Sequence, residues 1–243
     1  MTEYKYENIS DRIRIAEDPR GLILTTDACL LAAFVGRNSK QRICELGAGS
    51  GIISAMLIDE KKIMDSVCVD NNSEICDVAL KNARENGIYD RMKTVCADVT
   101  DFVYHRKFDA VVSNPPYFRS NDGKENSRKE DKFTRHETTA GINEFALCAG
   151  RILKDGGIAY FCYTPMRLPE LICALHLAGL ETKNIITVYP TIRHRPSLVL
   201  VSAKKGASAG AVMHRPLIIF KDKPGGEYTD DFLYIKQNNR IEL

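Results

Sequence analysis

Arg42-Ile43-Cys44-Glu45-Leu46-Gly47-Ala48-Gly49-Ser50-Gly51 is a short apolar run ending in three glycines spaced two apart, and Ile52-Ile53-Ser54-Ala55-Met56-Leu57-Ile58 follows it. A five-residue run bounded by glycine reads as a strand buried on both faces, and the apolar stretch after the glycines reads as a helix. Ser66-Val67-Cys68-Val69-Asp70 supplies a second strand that closes on an acid. Strand, glycine turn, helix and strand make one βαβ unit, and the same alternation continues along the chain.

After this unit, Asn72 or Ser73 caps a helix whose Ile75, Val78, Ala79 and Ala83 share one face, ending near Gly87. Met92 to Cys96, Phe108 to Ser113 and Ile158 to Tyr163 read as the third, fourth and fifth strands. The expected class is therefore α/β, a Rossmann-like doubly wound, mostly parallel sheet. Ile185 to Tyr189 and Leu198 to Ser202 are joined by a stretch with no helix, so they should finish the sheet as an antiparallel hairpin. Ahead of the first βαβ unit, Thr26 or Asp27 caps a helix from Ala28 to Val35, with Gly36 at its end. Residues 1–24 form a short strand appendage in which Asp11 to Ile15 alternates polar and apolar. Residues 25–205 form the main domain, and 206–243 an extension packed on it.

The chain has 243 residues, 44% hydrophobic and 27% charged, which suits one soluble domain with a small appendage. It holds no apolar run of ~18 residues, and its polar first residues are unlike a targeting peptide. A cytoplasmic protein with no membrane partner is expected. The eight cysteines, at 29, 44, 68, 76, 96, 148, 162 and 173, include no Cys-x-x-Cys pair and fall mostly in apolar patterns. They read as reduced core residues, and no spacing suggests a metal. Net charge is +2, but residues 183–243 carry ten Lys and Arg against five Asp and Glu. A basic carboxyl third suits a polyanionic partner.

The glycines at 47, 49 and 51 allow a tight turn and close approach of a ligand to the backbone. Asp70, at a strand's carboxyl end, is placed to hydrogen-bond ribose hydroxyls. Dinucleotide sites favour Gly-x-Gly-x-x-Gly, whereas residue 52 here is Ile and the third glycine comes one residue early. Glu45 would repel a pyrophosphate but suits a cofactor with a positive amino-acid end, which favours S-adenosylmethionine. Asp98, after the third strand, is either an acceptor for an adenine amine or a turn cap.

The fourth strand stops at Asn114-Pro115-Pro116-Tyr117. Two prolines cannot continue a strand, so they fix a stiff turn where open α/β sheets place their ligands. Phe118 to Gly141 follows with almost no aliphatic residues, six basic and five acidic. So long a polar segment reads as a substrate-facing loop.

With these residues in place, the chain resembles the class I methyltransferases that use S-adenosylmethionine and carry a seven-stranded sheet of this type. Glu45 to Gly51 looks like their first motif and Asn114 to Tyr117 like their amine-methylating motif. Thr25-Thr26-Asp27-Ala28, Arg135-His136-Glu137, Arg195-Pro196-Ser197-Leu198-Val199-Leu200, Pro216-Leu217-Ile218-Ile219 and Gly226-Glu227-Tyr228-Thr229 are similar to stretches of bacterial tRNA (adenine-N6)-methyltransferases. The resemblance implies a cofactor site of Asp27, Glu45, Gly47, Ala48, Gly49, Gly51, Asp70, Asn71, Asp98, Val99 and Asn114, with S-adenosylhomocysteine as product. It implies catalysis by Asn114, Pro115, Pro116 and Tyr117. The Asn114 oxygen and Pro115 carbonyl would accept the amine hydrogens, and Tyr117 would stack on the base. Arg135, His136, Arg193 and Arg195 would hold an RNA substrate, most readily tRNA near the anticodon, with no metal. Methylation of a glutamine in a translation factor, or of a base in rRNA or DNA, remains an alternative, as does an inactive cofactor-binding module.

Overall fold

The computed structural model describes residues 6–10, 12–16, 25–116 and 140–242. The chain starts with β1 (Tyr6–Asn8) and β2 (Arg14–Ala16), then alternates α1 (Thr26–Phe34), β3 (Arg42–Leu46), α2 (Ile52–Asp59), β4 (Asp65–Asp70), α3 (Ser73–Glu85), β5 (Met92–Cys96) and β6 (Phe108–Ser113). After it come α4 (Ile142–Ile152), β7 (Leu153–Tyr163), α5 (Leu168–Leu177), β8 (Leu180–Tyr189) and β9 (Leu198–Lys205). Two short strands, β10 (Val212–Met213) and β11 (Leu217–Ile218), and α6 (Asp230–Asn238) end it.

β3 to β7 are parallel, in the order β7-β6-β3-β4-β5. β9 lies antiparallel between β7 and β8, as the helix-free connection requires. β10 and β11 extend the sheet along the far side of β8. The central strands are apolar on both faces because both faces are covered. Ile43, Ala110, Val112 and Cys162 face one core with α1, α2 and α3, whereas Cys44, Leu46, Val111 and Phe161 face the other with α4 and α5.

Several local expectations are corrected. Thr25, in extended conformation, caps α1 by accepting from the Ala28 amide, and Thr26 and Asp27 already belong to the first turn. The fifth strand starts at Leu153, not Ile158. Gly156 (φ +75°) and Gly157, where a Cβ would stand 2.9 Å from the Lys154 carbonyl, form a bend inside the strand, not its boundary. The appendage strand is Arg14–Ala16, starting later than the Asp11 to Ile15 alternation suggests, and it pairs antiparallel with β1. Ile13, just before it, and Ile15 enter the first core, and Asn82 of α3 and Asn86, which caps that helix, accept from the amides of Ala16 and Arg14.

All eight cysteines are free; five are buried, but Cys96 and Cys173 are exposed and Cys29 is half-buried. Lys62 is buried, with its ammonium donating to the carbonyls of Ala32, Ala33 and Val35. A helix leaves its last carbonyls unpaired, and here a lysine from another segment satisfies them. Burial pushes its pKa down to about 8. Among the described residues no helix is long and apolar enough to cross a membrane.

Candidate active site at the carboxyl edge of the sheet

The central strands end side by side, and the loops leaving them carry most of the expected site. Leu46 pairs with Val69 on one side and Ser113 on the other. Gly47, Asp70 and Asn114 are the residues that follow these register partners on three adjacent strands. The buried Ser113 hydroxyl donates to the Leu46 carbonyl at 2.8 Å, tying the proline turn to the glycine turn.

Gly47, Gly49 and Gly51 all have left-handed backbone, with φ of +66°, +53° and +75°. Two of them carry different constraints. A Cβ on Gly51 would lie 2.0 Å from Met92 Cε, so this glycine lets α2 pack closely. A Cβ on Gly49 would meet nothing within 4 Å, so its backbone borders open space. Asp70 fixes the turn from the side. Its Oδ2 accepts from the Gly49 amide at 3.0 Å and its Oδ1 from the Asn72 amide at 3.1 Å. Asn72 in turn caps α3 by accepting from the amides of Glu74 and Ile75.

Glu45 points into the protein. It is 1% exposed, and its Oε2 accepts from the Ser54 amide at 2.9 Å and from the Ser54 hydroxyl at 2.5 Å in the first turn of α2. Burial pushes its pKa up to about 7 against the pull of those hydrogen bonds, and Asp70 raises it further. The glutamate is thus wedged under the glycine turn, where Ser54 holds it. Ala48 is buried, with its amide on the Val69 carbonyl. Asp98 Oδ1 accepts from the amide and hydroxyl of Thr100, a turn-capping arrangement, and Val99 is buried beneath it. Asp27 sits in the first turn of α1, and Asn71 is exposed beside Asp70. Asn114 is half-buried, Pro115 buried and Pro116 half-buried.

Arg193 and Arg195 are exposed on the β8–β9 loop. β8 runs parallel to β6, three strands away, so this loop lies on the same edge about 14 Å along it. The buried Thr191 shapes the loop, accepting from the Arg193 amide and bonding His194 Nδ1 at 2.7 Å. Tyr117, Arg135 and His136, and nearly all of the polar segment, lie outside the described residues. Among the described residues no group of three His, Cys, Asp or Glu side chains is arranged to hold a metal.

Ser54, Ser113 and Asn82 were not singled out from the sequence. Asn82 joins the appendage to the site, because it accepts from Ala16 and donates to the Ser50 carbonyl in the glycine turn. A serine closing an apolar strand at its carboxyl end was the one available signal, at Ser113.

This strand order, with a glycine turn after β3 and an acid ending β4, is the class I methyltransferase fold. A solved structure of a predicted O-methyltransferase from Agrobacterium tumefaciens superposes with a TM-score of 0.71 at 21% identity, covering 89% of this chain and 98% of that one. TYW2 of Pyrococcus horikoshii, in complex with MeSAdo, gives 0.60 at 16% identity, covering 84% and 72%. Residues 25–157 match the methyltransferase small domain family. A tRNA1(Val) (adenine(37)-N6)-methyltransferase of Actinobacillus pleuropneumoniae is 36% identical over 72% of this chain and 73% of its own. One from Shigella dysenteriae is 29% identical over 89% and 82%. The chain belongs to the methyltransferase small domain family and is an S-adenosylmethionine-dependent methyltransferase.

Proposed function

We propose that the protein methylates the N6 amine of an adenine in tRNA, close to the anticodon, with Asn114-Pro115-Pro116-Tyr117 holding the amine. The observation that carries this reading is the tie between Ser113 and Leu46, which sets the proline turn beside the glycine turn. The names of the relatives point to the same substrate.

The site residues fit S-adenosylmethionine. Gly49 offers backbone bordering open space, and Asp70 stands beside it with a carboxylate for ribose hydroxyls. The exposed Asn71 and half-buried Asp98 flank that position. When bound, the cofactor supplies an electrophilic methyl on a sulfonium. The protein's own contribution is positioning. An exocyclic amine is a weak nucleophile because its lone pair is delocalised into the ring. Acceptors at the Asn114 side-chain oxygen and the Pro115 carbonyl favour a pyramidal nitrogen whose lone pair points out of the ring plane. Orientation of this kind can supply a large part of the roughly 7–11 kcal/mol attainable from proximity. Tyr117 stacks on the base, and Arg193 and Arg195 hold phosphates flanking it.

The test is incubation of Asn114→Ala and the unaltered protein with labelled cofactor and separate pools of tRNA, rRNA, DNA and translation factors. N6-methyladenosine in tRNA, lost in the variant while cofactor affinity stays within about twofold, is the expected result. Label confined to protein or DNA would overturn the substrate, and full activity in the variant would remove Asn114 from the mechanism.

A further inference from the structure

Two thiols meet on the outer side of the turn that carries Asp70, and nothing in the transfer mechanism uses them. Asp70 and Cys96 are register partners at the ends of β4 and β5. Cys76 stands one turn into α3 and is 7% exposed. Its Sγ donates to the Asp70 carbonyl at 3.4 Å and reaches the Val95 carbonyl at 4.0 Å, directly before Cys96. Cys96 is exposed, and its Sγ contacts the Asn71 carbonyl at 3.8 Å. The two sulfurs therefore sit against the consecutive carbonyls of Asp70 and Asn71 in one turn.

We propose that Cys76 and Cys96 form a thiol modification site for hydroperoxides, in which a reversible disulfide between them loosens the Asp70 turn and weakens cofactor binding. The effect on the cofactor rests on Asp70 being its ribose acceptor, as proposed above; formation of the disulfide does not.

The chemistry divides between the two residues by access. Cys96 faces solvent, so its thiolate attacks the hydroperoxide: an S–O bond forms, the O–O bond breaks, and an alcohol or water leaves with a proton. Cys76 sulfur then attacks the Cys96 sulfenic acid. The S–S bond forms, hydroxide leaves and takes the Cys76 proton as water. Two electrons pass from the sulfurs to the peroxide. Burial first, then Cys96 and Asp70, push the Cys76 pKa up to about 12, so it does not compete as the first nucleophile.

The structural effect follows from the donors. Both S–H groups are lost in the disulfide, so the carbonyls of Asp70 and Asn71 lose their sulfur contacts together. A disulfide also draws the first turn of α3 and the end of β5 to a fixed separation, with the turn from Asp70 to Asn72 wedged between them. Asp70 is aligned by backbone amides of Gly49 and Asn72, so a shift of that turn moves its carboxylate away from a ligand above Gly49.

The full-length protein is treated with hydrogen peroxide and then with dithiothreitol. Tryptic peptides are sequenced by mass spectrometry and S-adenosylmethionine affinity is measured by calorimetry at each stage. Expected is a linked pair of peptides spanning residues 63–81 and 94–106, joined at Cys76 rather than at Cys68, which shares the first peptide. Affinity should fall about tenfold or more, the worth of a misaligned charged hydrogen bond, and recover on reduction. Cys96→Ser, an exposed change, should keep full affinity through peroxide. Absence of the linked peptide in a fully oxidised sample overturns the proposal, as does a linked protein that binds the cofactor unchanged. Failure of the reduced protein to bind S-adenosylmethionine at all would instead strike the cofactor assignment, with the disulfide read independently by mass.

Discussion

Glu45→Gln should change how the stability of this protein responds to pH. The wild-type carboxyl is 1% exposed and its pKa is raised from 4.5 to about 7, chiefly by burial. Between those values the folded protein keeps a proton that the unfolded chain has released. Its stabilising contribution is therefore whole below pH 4.5, fades as pH rises, and is gone above about 7. A displacement of this size corresponds to roughly 3 kcal/mol. Glutamine keeps an oxygen for the Ser54 amide and hydroxyl and has no proton to release. The stability of the variant relative to wild type should therefore grow by about 3 kcal/mol from pH 4.5 to pH 8, whatever offset the amide itself introduces. Urea unfolding followed by circular dichroism at pH 4.5, 6 and 8 measures the difference directly. A constant difference across that range would show that Glu45 titrates normally and would refute the account of a buried, Ser54-held carboxyl.

Asp70→Ala removes the acceptor for the Gly49 and Asn72 amides as well as the proposed ribose contact, so S-adenosylmethionine affinity should drop about ten- to a hundredfold; an unchanged calorimetric affinity would end that role. Replacing Arg193 and Arg195 together with alanine should reduce the slope of log K for tRNA against log salt by roughly 1.5 to 2, with cofactor binding intact. An unaltered slope would place the RNA elsewhere on the edge.

The periodic core was legible because a buried parallel strand has to be apolar on both faces. Ile43 and Cys44 show it on β3, and Val67 and Cys68 on β4, each pair split between the two cores. The glycine turn was legible as well, since few side chains tolerate its left-handed backbone. What escaped notice were contacts between segments distant in sequence. Lys62 follows Lys61 and reads as ordinary surface charge; only the fold brings Ala32, Ala33 and Val35 to its ammonium. Glu45 was read by charge as a partner for a cationic ligand, whereas α2 turns Ser54 towards it. The extent of β7 was misjudged because paired glycines normally end a strand, and here a bend inside it needs them.

The place of β9 in the sheet also governs the order in which the protein can be built. β8 is synthesised before any of its partners, since β9, β10 and β11 all follow it in sequence. The β7 edge that β9 covers stays open for the same interval. Once β8 has left the ribosome and before β9 has, one nascent chain therefore carries an unpaired strand and an uncovered sheet edge, the features through which strands pair with other chains.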